Sequence, residues 1–77
     1  MTVRSLALLD EGESGRIIGL HAGWHFRKRM TELGFVKGSE IRMIKKGTPG
    51  PCIIEVKGCG RIAIGVGEAN KIMIEGD

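Results

Sequence analysis

The sequence predicts a small, mostly β domain, and three observations carry that expectation. Thirteen glycines and two prolines cut the 77 residues into short apolar segments at regular spacing, the pattern of about five short strands in a small barrel or roll. A hydrophobic share of 42% is too high for a disordered chain, and this many turn residues are too many for a helical bundle. One stretch only, Gly23 to Leu33, changes period. Phe26, Met30 and Leu33 fall there at i, i+4 and i+7 and line one side of a helix.

In chain order, Leu6, Leu8 and Leu9 make a short apolar helical turn near the N-terminus, and Asp10-Glu11-Gly12 breaks the chain before the first strand, Arg16 to Leu20. Alternation from that start turns Ile18 and Leu20 inward. The helix follows, inserted after the first strand. Gly34 stands where a left-handed residue stops a helix, so that Phe35 or Val36 can fold back on the last turn. Lys37-Gly38 turns into a second strand marked by Ile41, Met43 and Ile44. Lys46 to Pro51 reads as a loop, because each proline removes a ladder donor and restricts its predecessor.

A third strand starts at Cys52. Requiring apolar residues to face one another pairs Val56 with Ile62, Ile54 with Ile64 and Cys52 with Val66. The hairpin loop is then Gly58-Cys59-Gly60, a three-residue loop with glycine available for a left-handed conformation. Glu55, Lys57 and Arg61 point to solvent in this register. After a turn through Glu68 and Ala69, Lys71 to Ile74 forms a last strand that closes the sheet against the first.

Length and charge narrow the functions. The 77 residues supply one hydrophobic core, so the chain reads as a single domain, 1–77, with a stability of roughly 5 kcal/mol or less that self-association would raise. The longest apolar runs fall far short of the ~18 residues a membrane span needs, which points to a cytoplasmic protein that is not membrane-inserted. The net charge of +3 comes from twelve basic residues interleaved with nine acids, a diluted field for nucleic acid. With one Trp, two Phe and no Tyr there is little for bases to stack on, so no nucleic-acid partner is expected.

The side chains that stand out suggest binding rather than catalysis. The serines and threonines lack a placed base, no acid pair stands out, and the glycines form no phosphate-binding fingerprint. Cys52 and Cys59 would lie at opposite ends of one strand, roughly 20 Å apart at ~3.3 Å per residue, and so should be free thiols in the core and at the loop tip. Arg27, Lys28 and Arg29 crowd the first half of the helix, where the macrodipole prefers acids. Glu32 is within reach of Lys28 or Arg29 for a local pair. Trp24, the one indole, precedes them. A helix carrying charge against its own dipole fits a surface shaped for an acidic partner, so Trp24, Arg27, Lys28 and Arg29 are the candidate partner-binding residues. His21 and His25 would share a helix face if the helix reached back to His21, which makes them candidate metal ligands for a transition metal such as iron or zinc, with further ligands coming from elsewhere.

Taken in order, Ser5-Leu6-Ala7-Leu8-Leu9, Gly12-Glu13-Ser14-Gly15-Arg16-Ile17, Arg27 to Phe35, Gly38-Ser39-Glu40-Ile41 and Ala69-Asn70-Lys71-Ile72-Met73-Ile74 resemble the FeoA family, ferrous iron transport protein A, nearly end to end. The basic helix ending in Glu32-Leu33-Gly34-Phe35 is the most specific part. Glu11-Gly12 and Lys37-Gly38 stand where the family often has Pro-Gly, and Gly65 where it often has a basic residue. The resemblance implies an SH3-like β-barrel with no required cofactor. Such a protein acts on the cytoplasmic GTP-binding domain of the membrane ferrous iron transporter, supporting or regulating uptake. The same domain also closes metal-dependent transcriptional repressors, so a metal-binding or metal-sensing protein using His21 and His25 is the alternative.

Overall fold

The computed structural model describes residues 2–47 and 49–76. Its elements are β1 (Thr2–Ser5), a 3-10 turn (Leu6–Leu8), β2 (Ser14–Leu20), α1 (Trp24–Glu32), β3 (Glu40–Lys45), β4 (Cys52–Val56), β5 (Gly60–Ile64), α2 (Val66–Ala69) and β6 (Ile72–Gly76). The strands form one antiparallel sheet in the order β1-β6-β2-β3-β4-β5. The mostly β, SH3-like fold of the sequence analysis is thus present, with six strands where about five were expected. β6 pairs with β2 as anticipated and takes β1 on its other side, leaving β1 and β5 as edges. The sheet is curled but not closed by a ladder between those edges among the described residues. Thr48, in the Lys46 to Pro51 loop, lies outside the described residues.

The curled sheet wraps a core in which Phe35, Leu6, Leu9, Ile17, Ile54 and Ile74 are completely enclosed. Met30 is the one fully buried residue of α1, and Phe26 packs against the cluster from one turn earlier. The helix stop is as anticipated. The amides of Gly34 and Phe35 donate to the carbonyls of Thr31 and Met30 at 3.0 and 2.9 Å, with Gly34 at φ +102°, which is a Schellman closure. Phe35 is thereby thrown back into the core. Cys59 sits against this turn, since a Cβ on Gly34 would come within 2.9 Å of its Sγ.

Three expectations need correction. Ile17, not Ile18, faces inward with Leu20: the β2–β6 register slips between Ile17 and Gly19, and the bulge at Ile18 changes the alternation. The β4–β5 hairpin pairs Val56 with Gly60, Ile54 with Ile62 and Cys52 with Ile64, two residues out of the expected register, so its loop is Lys57-Gly58-Cys59. The rule of apolar facing apolar fails at Val56 because the Gly34 turn lies close to Val56 Cγ1 and Cys59, so the helix end covers that position and the strand partner need not. Gly58 and Gly60 take positive φ of 86° and 91° to make the turn. Finally Val66, placed on a strand by the sequence, opens α2, where Glu68 Oε1 accepts the Gly65 amide proton at 3.0 Å. Cys52 is buried and Cys59 exposed, both as free thiols, as the sequence suggested.

Candidate functional site: the cationic helix

α1 begins without help from its own sequence. Its N-cap is Gly23, which offers no side-chain acceptor, and its first turn holds no acid. What fixes it is burial of Met30 and Phe26 on one face and two ties to the segment before β6. His21 donates its amide proton to the Lys71 carbonyl at 2.6 Å. Arg29 forms an ion pair with Glu68 of α2, whose other oxygen holds the Gly65 amide. Arg29, not Lys28, therefore carries the local charge pairing, and its partner is Glu68 rather than the expected Glu32.

The opposite face of α1 is open. Trp24 is 62% exposed although it is the largest side chain in the protein. Lys28, one turn on, places Nζ 5.2 Å from the centre of the indole, and the His25 ring meets the indole edge-on at 5.2 Å. Arg27 is exposed, and neither Arg27 nor Lys28 has a carboxylate partner among the described residues. A second ammonium, that of Lys71, stands 5.2 Å from the centre of the Phe26 ring. Trp24, Arg27 and Lys28 thus form one exposed surface, whereas Arg29 is engaged within the molecule.

The helix does not reach back to His21, so the shared face proposed for His21 and His25 does not form: His21 precedes α1, while His25 lies in its first turn, and both are exposed. Among the described residues no group of three or more His, Cys, Asp or Glu side chains is placed to hold a metal ion. Sequence reasoning missed Glu68 and Lys71. Glu68 had a readable signal, an acid three residues after a glycine that precedes a short helix; Lys71 had none, because its partner ring lies 45 residues away in sequence.

A groove of about 880 Å³ lies elsewhere, across the outer face of the sheet, over Arg16, Glu40, Arg42, Glu55 and Lys57. Its charges other than Glu75 are paired, in one case with Arg61 beside the groove. Arg16 and Lys57 flank Glu40 at 3.3 and 3.5 Å, and Arg42 and Arg61 flank Glu55 at 3.3 and 3.9 Å.

Fold and surface together describe a small SH3-like β protein with a positively charged helix on its outside. The FeoA domain model matches residues 4–76, and the chain belongs to the FeoA family. An iron uptake regulatory protein, FeoA, of known crystal structure is 30% identical over 96% of this chain and 97% of its own, with a TM-score of 0.88. The zinc-complexed FeoA of Stenotrophomonas maltophilia, a prokaryotic SH3-domain protein, is 33% identical over 92% of this chain and 88% of its own, at a TM-score of 0.77. A manganese-dependent transcriptional repressor in complex with manganese shares the fold alone, at 15% identity and a TM-score of 0.88, with this chain matching 38% of its length. No curated protein matches this chain. The family is one of accessory domains of ferrous iron transport.

Proposed function

We propose that this chain is a non-enzymatic cytoplasmic accessory of ferrous iron uptake, working as one domain that docks on the cytoplasmic GTP-binding domain of a membrane ferrous iron transporter. The observation that carries this reading is the open face of α1: an indole 62% exposed, with an ammonium stacked on it and, beside it, a guanidinium that has no carboxylate partner among the described residues. An exposed tryptophan is a costly surface in a monomer and a common anchor in a complex. Unpaired cations around it steer an acidic partner and favour one orientation. No helix among the described residues is long and apolar enough to cross a membrane, which suits a partner that is itself the membrane component.

The test is an amide NMR titration of the labelled protein with that GTP-binding domain, with and without guanine nucleotide. Saturable shifts are expected at residues 24–28. The double variant Arg27→Glu/Lys28→Glu should weaken binding at least about tenfold and flatten its salt dependence. Equal affinity of variant and wild type would remove α1 as the docking surface.

A further inference from the structure

Lys28 has two neighbours one turn away on α1, Trp24 before it and Glu32 after it, and it takes the first. Its ammonium stands 5.2 Å from the centre of the indole, while Glu32 has no cationic partner among the described residues. Glu32 is exposed and is the last residue of the helix, where the macrodipole disfavours an acid. A lysine placed four residues before a glutamate is also the poorer order for a local pair. The one acid of α1 is thus left as uncompensated as Arg27 and Lys28 are.

Its place on the helix gives this a direction. With 3.6 residues to a turn, Lys28 lies about 40° and Glu32 about 80° round from Trp24, whereas the core-packed Phe26 and the buried Met30 lie at about 200° and about 240°. Trp24, Lys28 and Glu32 therefore form a single ridge of residues spaced four apart, centred opposite the core. Arg27 and Thr31, both exposed, make the adjacent row. Along the ridge a ring, a cation and an anion follow one another at ~6 Å intervals of axial rise.

We infer that Glu32 belongs to the docking face and sets the orientation of the partner, whose matching surface carries a pocket for the indole, a carboxylate for Lys28 and a lysine or arginine for Glu32, in that order. This rests on the docking role proposed above and names the chemistry of the partner: an acid and a base about 6 Å apart, rather than a uniformly acidic patch. Opposite charges in a fixed order reject the reversed orientation, because reversal brings like charges together.

The experiment is a calorimetric titration of the transporter's GTP-binding domain into wild type, Lys28→Glu, Glu32→Lys and the exchanged variant Lys28→Glu/Glu32→Lys. Glu32→Lys puts a cation where the dipole favours one, so its urea midpoint should not fall and lost affinity reads the contact alone. Binding should weaken about tenfold for Lys28→Glu and about tenfold for Glu32→Lys. The exchanged variant keeps the net charge of wild type, and with it most of the long-range steering, yet should bind no better than either single variant. If Lys28→Glu weakens binding while Glu32→Lys leaves it unchanged or tightens it, the face is a plain cationic patch: the role of Glu32 is wrong and the docking role stands. Wild-type affinity in the exchanged variant would likewise show that net charge, not order, is read. Unchanged affinity in all three variants would remove the docking role itself.

Discussion

The outer face of the sheet and the outer face of α1 carry the same kinds of charged residue and treat them in opposite ways. On the sheet, register sets arginine directly across from glutamate, Arg16 against Glu40 and Glu75, Arg42 against Glu55, and Arg61 against Glu55. Arg16, Arg42, Arg61, Lys57, Glu40 and Glu55 are all answered there by ion pairs within the molecule. On α1, Arg27 and Lys28 sit within the first five residues, on the side of the dipole that disfavours cations, and have no carboxylate partner among the described residues. A face whose charges agree with its register is explained by folding; a face that breaks the local rule without internal compensation points outward, to a partner. The contrast also explains why the groove across the sheet, lined mostly by paired charges, is a weaker candidate than the flatter helix face.

The largest effect should come from cutting α1 away from the sheet. Met30 is the helix's one fully buried side chain, and its carbonyl accepts the Phe35 amide. Met30→Ala should cost about 2–5 kcal/mol of unfolding free energy in urea titration, with docking lost along with the helix position, while Met30→Leu should cost less than about 1.5 kcal/mol. A small cost for Met30→Ala would mean that α1 is held by its two polar ties alone.

A smaller effect separates the two faces. Glu40→Ala removes the acid shared by Arg16 and Lys57, two exposed pairs, and should cost no more than about 1 kcal/mol, with the loss vanishing in high salt. Binding to the GTP-binding domain should be unchanged. Arg27→Ala should do the reverse, leaving stability within about 0.5 kcal/mol and weakening binding. If Glu40→Ala also lowered affinity, the sheet face would belong to the interface and the contrast would collapse.

How much of this was legible in the sequence depends on the range of the interaction involved. The helix stop at Gly34 and Phe35, the free thiols and the cationic cluster were all readable, because each follows from residues no more than seven apart in sequence. The register of β4 on β5 was not, because Val56 is covered by the Gly34 turn, 22 residues earlier, and a pairing rule confined to the hairpin cannot see it. The inward position of Ile17 was hidden by a bulge that only the ladder to β6 defines. β1 was missed because four residues, Thr2 to Ser5, show no alternation strong enough to mark a strand. On the helix face proposed for docking, the residues were singled out by their conflict with the dipole, whereas Arg29's engagement with Glu68 and Lys71's approach to Phe26 depend on how the segment from α2 to β6 packs against α1.

The smallest effect lies at the far edge of the sheet and is a matter of pH. Glu13 accepts the Asp10 amide proton at 2.7 Å and a proton of Arg4 Nη2 at 2.9 Å. The backbone hydrogen bond, followed by the one from Arg4, holds its carboxyl below the ordinary value of 4.5. Because the folded value is the depressed one, the unfolded chain takes up the proton first as pH falls. The contribution is therefore complete above pH 4.5 and is lost as pH drops through the folded value. The midpoint of urea unfolding should decline over that interval, and Glu13→Gln should remove part of the decline while leaving docking at neutral pH unchanged. A variant with an undiminished decline would place the acid sensitivity in the paired charges of the sheet, and a variant that docked less well would extend the partner's footprint from α1 to the segment that leads from Leu9 into β2.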